Sequence, residues 1–493
     1  QAETYDCDIV VIGGGTSGST AAAQATELGA KVLLIEKSAR IGGSGALSTG
    51  PLSINSETQL AWDQTGDADG VFKKFMELSH WYGKAGAFRR LLTMSGETAD
   101  WLAAKGFVWN QFGLSSMPGE FGVTGVSYLD DSVATMGVYD SFQSMVKDVD
   151  TILTETTATQ ILTDSEGNAV GVAALKDDGT PVTVNAKAVI VSTGGFGGNK
   201  DMLEQYTGSR YVLFGVQQND GSGFEMMKAV GAAERNPGGT SCHLVCVPAF
   251  VTGFDEFDAN IPFDLLITPT LLQVNQRGER FSSETVGEDS MLMGANYHAA
   301  QGEYYYTLIS KPLMDGIAEQ GTAYTGMVGK PLTFSFKGQA IQADVPMPNI
   351  EAVLEAAVEQ GLAYKGETIA ELAQNAGMDA ATLQASIDGY NAVVRGEKED
   401  ELGFLANNSA DVELTEGPWY ACKKVPTVHH TMGGLKINVN TQVLDESDQP
   451  IPGLYAAGEV TGGIHGSNRL GGNAIADCMV FGRQAGLMAA TAE

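Results

Sequence analysis

The sequence predicts an α/β protein built around an open, mostly parallel β-sheet. Three short apolar segments predict it, because each leads directly into glycines: residues 8–12, 188–191 and 453–457. Apolar, β-branched runs of this length are typical of strands that are buried on both faces of a parallel sheet. Glycine loops at the ends of such strands indicate one crevice at the carboxyl edge of the sheet, where open α/β folds bind ligands.

Length and composition limit the possible architectures and partners. At 493 residues the chain is too long for one small core, so two or three structural units are expected. The formal net charge of −31 argues against nucleic acid and anionic membranes as partners. No apolar run reaches the roughly 18 residues of a membrane span. The five cysteines are scattered, so no disulfide framework is implied.

The N-terminus bears on the cellular location. The chain begins at Gln1 rather than at a methionine, and no signal peptide pattern follows. We therefore expect a processed or trimmed product. Together with the acidic composition, this favours an extracytoplasmic location, in the periplasm or at the surface of a bacterial cell, and a cytoplasmic location is the alternative.

Residues 13–18 read Gly-Gly-Gly-Thr-Ser-Gly and match the pattern Gly-x-Gly-x-x-Gly between a strand and an alanine-rich helical segment. In this pattern Gly13 permits the tight turn, Gly15 lets the backbone approach a pyrophosphate, and Gly18 lets the helix pack closely on the strand. The phosphates would lie at the helix N-terminus, beside Thr16 and Ser17. The motif therefore predicts dinucleotide binding.

The segment after this helix indicates which dinucleotide is bound. Residues 31–35 predict a second strand, and an acidic residue at its end is placed to bond a ribose hydroxyl. A second glycine loop, residues 41–45, follows the acid directly. A plain NAD domain has little use for such a loop, whereas a flavin that extends across the sheet edge does, so the sequence predicts FAD. The contacts expected here are Glu36, Lys37, Gly42, Gly43 and Ser44.

Five motifs together resemble a known family: residues 11–18, 192–196, 275–281, 429–434 and 458–473. The set resembles the flavoproteins of fumarate reductase and succinate dehydrogenase, particularly the soluble FAD-dependent reductases that include fumarate and urocanate reductases. The match extends over nearly the whole chain, and the C-terminal motifs are the most specific part of it.

The resemblance implies a split Rossmann-like FAD-binding domain with an inserted α+β capping domain. Residues 1–237 and 429–493 would form the FAD-binding domain, and residues 238–428 the cap. The middle of the chain agrees with this division, because residues 350–360 and 380–394 have helical patterns rather than a second nucleotide-binding motif.

The resemblance also implies the roles of particular residues. His429 and Arg469 would hold the substrate carboxylate, and Arg280 in the cap would give a proton to the substrate carbon after hydride transfer from FAD. His243 would be a further substrate contact, and Glu256 would relay protons. The helix that begins near residue 473 would direct its dipole at the flavin. The further contacts expected with FAD are Thr193, Gly194, Ser222, Glu459, Asn473, Ala474 and Ile475.

Three positions depart from the family pattern. Fumarate reductases carry a Glu-x-x-Arg pair in the cap, and here Ala259 occupies the arginine position. This argues against fumarate as the substrate, and nearby phenylalanines favour an aryl-acrylate or urocanate-like acid. Ser44 stands where membrane-bound relatives carry a flavin-linking histidine, so FAD should be non-covalent. Ser222 stands where an aspartate is usual.

The predicted reaction is reduction of an activated C=C bond in an α,β-unsaturated carboxylate, of the kind used in anaerobic respiration. One alternative is a ketosteroid dehydrogenase-like flavoenzyme, which would depend on tyrosines instead. Another is a flavin electron-transfer protein without substrate chemistry, for which a carboxylate clamp has no use. The sequence contains no Cys-x-x-Cys-His haem motif and no iron–sulfur cysteine set. Electrons are therefore expected from a separate donor protein or domain.

Overall fold

A computed structural model describes most of the chain, and its residues divide into two compact units. Unit 1 comprises Gln1–Arg210, Gly215–Ser241 and His430–Glu493, and unit 2 comprises Tyr211–Phe214 and Cys242–His429. The assignment of unit 2 as a capping domain stays a prediction. The described residues are 2–48, 50–112, 125–127, 136–208, 210–213, 215–235, 240–245, 271–281, 302, 304–321, 324, 335–336, 339–340, 346–402 and 412–492.

The central sheet of unit 1 confirms the predicted α/β architecture. Its order is β21-β22-β10-β2-β3-β6, and its strands are parallel except for the edge strand β21. Every residue of β2, β3 and β10 is buried, as expected for strands covered on both faces. The six strands are β2 (Ile9–Ile12), β3 (Val32–Ile35), β6 (Thr151–Leu153), β10 (Ala188–Val191), β21 (Gln442–Leu444) and β22 (Pro450–Ala456).

A second sheet of unit 1 has the order β1-β9-β8-β7, and two short pairs join β4 to β5 and β12 to β20. The strands are β1 (Glu3–Asp6), β4 (Asn110–Phe112), β5 (Gly125–Ser127), β7 (Thr156–Thr163), β8 (Ala169–Lys176), β9 (Pro181–Asn185), β12 (Glu234–Arg235) and β20 (Gly434–Leu435).

The described helices of unit 1 are α1 (Thr16–Glu27), α2 (Glu57–Ala61), α3 (Ala68–Leu78), α4 (Ala85–Ala104), α5 (Met136–Met145), α6 (Lys200–Thr207), α7 (Ser222–Lys228) and α12 (Asn473–Thr491).

Helices α1 and α12 pack unusually closely. A Cβ atom added to Gly482 would lie 2.5 Å from the carbonyl oxygen of Ser17, and one added to Gly486 would lie 2.3 Å from that of Ala21. Both glycines lie on one face of α12, because they are four residues apart. This contact holds the two helices that begin at the glycine loops in one position relative to each other.

Unit 2 is built on the long strand β19. In its sheet β19 lies between β11 and β15, and β15 also pairs with β14. β13 and β18 pair with β19 as well. The strands are β11 (Val212–Leu213), β13 (Thr240–Val245), β14 (Gln273–Val274), β15 (Tyr305–Ile309), β16 (Ser335–Phe336), β17 (Gln339–Ala340), β18 (Ala363–Gly366) and β19 (Trp419–Thr431).

Tyr305 and Tyr306 of β15 are buried on opposite faces of the strand. Tyr306 belongs to the main apolar core of unit 2, whereas Tyr305 points the other way and packs with Tyr211 and Phe281. A second apolar group therefore covers the other face of β15.

The described residues of unit 2 also contain the helices α8 (Lys311–Gln320), α9 (Ile350–Glu359), α10 (Ile369–Ala376) and α11 (Ala380–Val394). α9 and α11 confirm the helical patterns predicted for the middle of the chain. Asp379 caps α11 by accepting a hydrogen bond of 2.8 Å from the amide of Thr382. Among the residues the structure describes, no helix has the length and apolar character needed to span a bilayer.

The first prediction concerns the link between α11 and the segment before β19. The buried amide of Asn391 donates to the carbonyl of Leu414 at 2.8 Å and accepts from the same residue's N–H at 2.8 Å. Asn391→Ala leaves both backbone groups without this partner, so we expect a loss of about 2 to 4 kcal/mol in the free energy of unfolding. Urea denaturation measures it.

Asn375→Ala is the matched control, because its exposed amide donates one 2.7 Å bond to the carbonyl of Lys365. We expect a change of about 0.5 kcal/mol or less for this surface position. Equal losses in the two variants would contradict the importance assigned to Asn391.

Candidate functional site

The first glycine loop fits tightly against the sheet of unit 1. Gly13 has φ of +97°, and a Cβ there would lie 2.4 Å from the carbonyl oxygen of Ser192 at the end of β10. A Cβ on Gly18 would lie 1.8 Å from the carbonyl oxygen of Gly13. Gly15 differs, because a Cβ there would meet no described atom within 4 Å. The loop is therefore fixed at its two ends, and its middle glycine faces open space.

Glu36 holds the loop from the end of β3. One carboxylate oxygen accepts a 2.7 Å hydrogen bond from the amide of Gly14, and the other accepts a 2.7 Å bond from the amide of Ser38. The side chain is nearly buried. Glu36 thus organises both adjacent loops, and its predicted contact with a ribose stays a prediction.

The second glycine loop packs directly on the first. The amide of Gly42 donates to the carbonyl of Gly14 at 2.8 Å, and Gly42 has φ of +128°. A Cβ on Gly43 would lie 3.1 Å from the Cα of Gly15. Glycines predicted to contact the cofactor are therefore brought together at the carboxyl edge of the sheet.

Lys37 and Ser222 meet at one aspartate that sequence reasoning missed. Lys37 forms an ion pair of 3.0 Å with Asp220, and the amide of Ser222 donates to the same carboxylate at 3.0 Å. Asp220 thus supplies an acid two residues before the position where an aspartate is usual. The signal in the sequence was its place just before Gly221 and the start of α7.

Four distant segments converge on Glu459. Its Oε1 accepts from the amide and hydroxyl of Thr431 at 2.9 and 3.1 Å. The side-chain amide of Asn219 lies 3.4 Å from both the Oε2 of Glu459 and the hydroxyl of Ser44. Burial raises the pKa of the Glu459 carboxyl, and the bonds from Thr431 oppose that shift. Gly194 faces this group too, because a Cβ there would lie 2.4 Å from Asn219.

Several buried polar atoms lack hydrogen-bond partners in the described part of the chain. They include the hydroxyls of Thr16, Ser192 and Thr193 and both side-chain amide atoms of Asn473. Buried polar groups of native proteins are nearly always paired. The hydroxyl and phosphate groups of a dinucleotide would satisfy them, so the residues present fit FAD. Ser192 is a candidate contact that sequence reasoning missed.

The start of α12 carries three predicted cofactor residues. Asn473 is fully buried, and Gly472 before it has φ of +78°. Ala474 and Ile475 follow in the first turn of the helix. Ser17 lies across from this region and donates its hydroxyl to the carbonyl of Ala457 at 3.1 Å. The first turn of a helix favours negative charge, which suits an electron-rich cofactor.

Arg469 is a buried cation in unit 1. Its side chain donates one 3.2 Å bond to the carbonyl of Leu470, and its Nε has no partner among the described residues. Burial lowers the pKa of Arg469 to about 10, and the charge of Glu459 opposes that shift without forming an ion pair within the described residues. A site that keeps such a cation unpaired favours an anion from solution.

A buried histidine–aspartate pair also lies in unit 1. His465 and Asp477 are joined by a bond of 2.9 Å, and their side chains are 4% and 3% exposed. The ring of His430 lies 5.4 Å from that of His465, edge to face. His430 is itself buried.

Unit 2 carries the remaining predicted catalytic residues. Arg280 forms a two-bond ion pair with Asp400, which sequence reasoning missed because the two are far apart in the chain. His429 is half-buried near the end of β19. For His243 the structure describes the backbone, within β13, and Glu256 lies outside the described residues.

The sequence is similar to known flavoproteins over nearly its whole length. A family model described as FAD binding domain matches residues 8–475. The chain is 28% identical to the NADH:fumarate oxidoreductase of Klebsiella pneumoniae over 98% of its own length and 47% of that protein. It is 28% identical to the vinyl phenol reductase of Lactiplantibacillus plantarum, covering 98% of this chain and 96% of that one. It is also 28% identical to the urocanate reductase of Eggerthella lenta, with coverages of 99% and 75%.

Two solved structures are similar over nearly the whole chain. The open conformation of a flavocytochrome c3 fumarate reductase has a TM-score of 0.72 and 26% identity, covering 99% of this chain and 78% of that one. The 3-ketosteroid Δ1-dehydrogenase of Sterolibacterium denitrificans has a TM-score of 0.76 and 18% identity, covering 99% and 100%. At that identity the second likeness shows the fold alone.

The second prediction tests Asn473. Its buried amide has no partner among the described residues, so Asn473→Ala should leave the apoprotein at least as stable as the wild type. The same change should weaken FAD binding about tenfold, as expected when one hydrogen bond of about 1.4 kcal/mol is lost. Thermal unfolding of the apoprotein and fluorescence titration with FAD measure the two effects.

Asn438→Ala is the control, because Asn438 accepts bonds from the amides of Asn440 and Gln442 in unit 1. It should lower stability and leave FAD affinity unchanged. A destabilised Asn473→Ala apoprotein with normal FAD affinity would mean that Asn473 is a structural residue.

The third prediction is a pH dependence that arises from Glu459. Because burial raises its pKa above the ordinary 4.5, the native state binds this proton more tightly than the unfolded state does. Its contribution to stability is therefore present below pH 4.5 and is lost as the pH rises through the raised value. Glu459→Gln should raise the apoprotein Tm by roughly 2–4 °C at pH 8 and by less at pH 4.

Differential scanning calorimetry across this pH range measures the effect. Glu446→Gln, at an exposed position of unit 1, is the control and should show no such pH-dependent gain. A gain from Glu459→Gln that is equal at both pH values would contradict the assignment.

Proposed function

We propose a function for this chain from its family: it belongs to the FAD binding domain family, as a member of the fumarate reductase/succinate dehydrogenase flavoproteins, and it is an FAD-dependent oxidoreductase acting on CH–CH bonds. On that premise, its reaction is reduction of the activated C=C bond of an α,β-unsaturated carboxylate. The observation that carries this proposal is the buried Arg469 cation, which has no carboxylate partner among the described residues.

The bound cofactor would supply a hydride to the carbon β to the carboxylate. The residues proposed to hold it are those that the glycine loops bring to the sheet edge, with Thr16, Thr193 and Asn473 donating or accepting hydrogen bonds. FAD is proposed to bind without a covalent link, because residue 44 is a serine and not a histidine that could be joined to the flavin. The hydroxyl of Ser44 accepts a hydrogen bond from the side-chain amide of Asn219.

The substrate carboxylate is proposed to bind Arg469 and His429. A guanidinium presents a planar fork that matches a carboxylate, and such charge-assisted bonds are strong when they are removed from water. What supports His429 is its place in the His-His-Thr-Met-Gly-Gly motif shared with the family. Bound in this way, the carboxylate draws electron density from the alkene, and Arg469 stabilises the negative charge that develops after hydride addition.

Arg280 is the proposed proton donor to the α carbon. Arginine is an unusual acid, since its ordinary pKa is near 12.5 or above. It suits this step because the acceptor is a strongly basic, enolate-like carbon. A donor of this kind requires a group that restores its proton after each turnover. Glu256 and His243 remain proposed members of the substrate side of this site.

The favoured substrate is an aryl-acrylate or a urocanate-like acid rather than fumarate. Ala259 cannot bind a second carboxylate in the way that the family's arginine does, and Phe254 and Phe257 nearby suit a planar ring. The name of one relative agrees with an acid that has a ring next to the alkene, since urocanate is such an acid. Vinyl phenol, named for another relative, carries the ring without a carboxylate. A neutral 3-ketosteroid would leave Arg469 without an anion, so the ketosteroid alternative ranks lower.

The electron donor is proposed to be a separate protein or domain. The chain spans 47% of the length of the NADH:fumarate oxidoreductase that it resembles. The extracytoplasmic location remains a prediction from composition.

The fourth prediction tests the reaction and its carboxylate clamp together. Dithionite-reduced protein, kept anaerobic, should be reoxidised by urocanate or cinnamate, and more slowly by fumarate. 4-Androstene-3,17-dione and styrene, which lack a carboxylate, should not reoxidise it. Arg469→Met should raise KM for the acid about 10²-fold or more, since a charged hydrogen-bond pair of about 3 kcal/mol is lost. Flavin absorbance measures both.

Arg483→Met is the control, because Arg483 lies on α12, which begins shortly after Arg469 in the chain, and already pairs with Glu97 at 2.9 Å. Its KM should match the wild type. If no unsaturated acid reoxidises the reduced protein, the reductase proposal is wrong, and rapid reoxidation by the steroid would favour the ketosteroid alternative.

A further inference from the structure

We propose that one face of unit 1 is the docking surface for the electron donor, and that this donor is a one-electron carrier protein with an acidic surface. The inference rests on the proposed function, because a reductase of this kind needs electrons from a separate donor. The face combines four basic side chains with two exposed aromatic ones, and we call it the basic–aromatic surface. Its members are Trp81, Tyr82, Lys84, Arg90, Arg235 and Lys436.

The basic side chains of this surface lie close together. The Nζ atom of Lys84 donates to the carbonyl of Ile437, directly after Lys436, and the guanidinium of Arg90 donates to a carbonyl two residues further on at 2.9 Å. Burial and the charges of Arg235 and Lys436 lower the pKa of the Lys84 ammonium. The cations are therefore near enough to repel one another, and the fold holds them together against that repulsion.

The surface has an excess of positive charge, although acidic residues outnumber basic ones by 60 to 29 in the chain. Elsewhere in unit 1 basic side chains pair with carboxylates, as Lys187 does with Asp8 at 2.7 Å. On this surface Lys436 pairs with Asp448, whereas the other three cations form no ion pair within the described part of the chain. The Nε of Arg235 is buried and has no hydrogen-bond partner there either. Such a local excess suits a partner of opposite charge.

The aromatic side chains lie on the short loop between α3 and α4. Trp81 and Tyr82 are 66% and 58% exposed, so two large rings face water. His80 and Trp81 have left-handed backbone conformations, with φ of +51° and +63°, which bulky residues rarely adopt. The carbonyl of Tyr82 accepts a 3.4 Å bond from the guanidinium of Arg235, which joins the loop to the cations. Tryptophan, tyrosine and arginine are the side chains that contribute most often to binding at protein interfaces.

The surface adjoins the glycine-rich segment before α12, which carries predicted cofactor contacts. The amide of Lys84 donates to the carbonyl of Gly463 at 3.0 Å, and a Cβ on Gly463 would lie 2.2 Å from the Nε of Arg235. The Nδ1 of His80 lies 2.7 Å from the hydroxyl of Ser467. A carrier docked here would therefore contact residues that pack directly on the segment leading into the candidate cofactor site.

An acidic one-electron carrier fits both the charge and the modest extent of this surface. Electron-transfer complexes are transient and have some of the smallest specific interfaces, so a few cations and two aromatic rings suffice. Opposite charges accelerate the encounter and orient the partners. Two carrier molecules, docking in turn, would each be oxidised by one electron. Those two electrons reach the alkene as one hydride, and the two hydrogens gained by the product enter as protons from water.

The fifth prediction uses a reduced plant-type [2Fe–2S] ferredoxin, an acidic low-potential carrier, to reduce the FAD-loaded protein in the absence of any alkene. Anaerobic stopped-flow absorbance of the flavin measures the second-order rate constant. It should fall about tenfold or more between about 20 and 300 mM NaCl, because salt screens the attraction. Ferredoxin with amidated surface carboxylates keeps the same redox centre and should react about tenfold more slowly at low salt.

The triple variant Lys84→Gln/Arg235→Gln/Lys436→Gln removes three positive charges from the surface. It should slow reduction by native ferredoxin about tenfold or more at low salt and flatten the salt dependence, because fewer charges attract the carrier. FAD content and turnover driven by dithionite should match the wild type, since neither depends on docking.

The control variant is Lys31→Gln/Lys147→Gln/Lys187→Gln, which makes the same change in net charge. These exposed lysines precede β3, β6 and β10, so they lie at the amino edge of the parallel sheet, opposite the candidate site. The rate constant should stay within about twofold of the wild type, because distant charges are screened.

Trp81→Ser tests the aromatic part of the surface and replaces the triple variant if that variant does not fold. It should slow reduction by ferredoxin about threefold or more even at high salt, because ring contacts are not screened by ions. Its salt dependence should stay that of the wild type, since all four cations remain. A rate constant equal to that of the wild type at every salt concentration would contradict a role for Trp81 in docking.

The outcomes separate this inference from the proposed function. Reoxidation of dithionite-reduced protein by an unsaturated acid tests the function alone. If that reaction occurs, but ferredoxin reduces the wild type and the triple variant equally fast or reduces neither, the docking inference is wrong and the proposed function stands. If ferredoxin behaves as expected and no acid reoxidises the flavin, the reductase proposal is wrong and the surface remains an entry point for electrons. A wild type that sediments as a dimer, with a monomeric triple variant, would assign the surface to a second copy of the chain and overturn the inference.

Discussion

The close approach of two glycine loops at the carboxyl edge of the parallel sheet is the constraint on which unit 1 depends. The first loop is confined between the end of β10 and the start of α1, so that a single Cβ at Gly13 or Gly18 would collide with backbone oxygens. The second loop lies against the first through the bond from Gly42 to Gly14. Helix α12 is fixed next to them by glycine contacts of its own on α1. Because collisions with backbone cannot be relieved by a rotamer change, these contacts determine where each helix begins.

The buried polar and charged side chains of unit 1 are explained by ligand binding, whereas its glycines are explained by close packing of the backbone. His465, Arg469 and Asp477 lie close in the chain to the start of α12, and each is almost fully buried. Burying polar and ionised groups is expensive, and apolar replacements of similar size are often more stable. A fold selected for stability alone would not retain these groups in one place. Their concentration at the start of one helix is what a site that binds and stabilises negative charge requires.

Sequence reasoning predicted the parts of the site that depend on local patterns. The strand, glycine loop, helix and Glu36 all lie within one short βαβ segment, and helices α9 and α11 follow from their apolar period. It could not predict contacts decided by tertiary packing. Asn219 reaches Glu459 across 240 positions, and Asp400 reaches Arg280 across 120. Neither partner lies in a motif, and an isolated asparagine or aspartate in a polar loop is more often solvated.

The two arginines of the proposed site show how the same side chain can be prepared for different tasks. Arg469 is buried without a carboxylate partner in the described residues, so its charge remains available to an anionic ligand. Arg280 is buried with its charge already matched by Asp400. A binding cation gains most when its partner arrives with the substrate, because the cost of its desolvation has been met in folding. A carboxylate neighbour favours the charged form of an arginine, and two parallel bonds fix the plane of its guanidinium. The pair with Asp400 therefore holds Arg280 charged and in one position within unit 2. The difference in pairing between the two arginines is the physical ground for proposing that the substrate carboxylate binds Arg469.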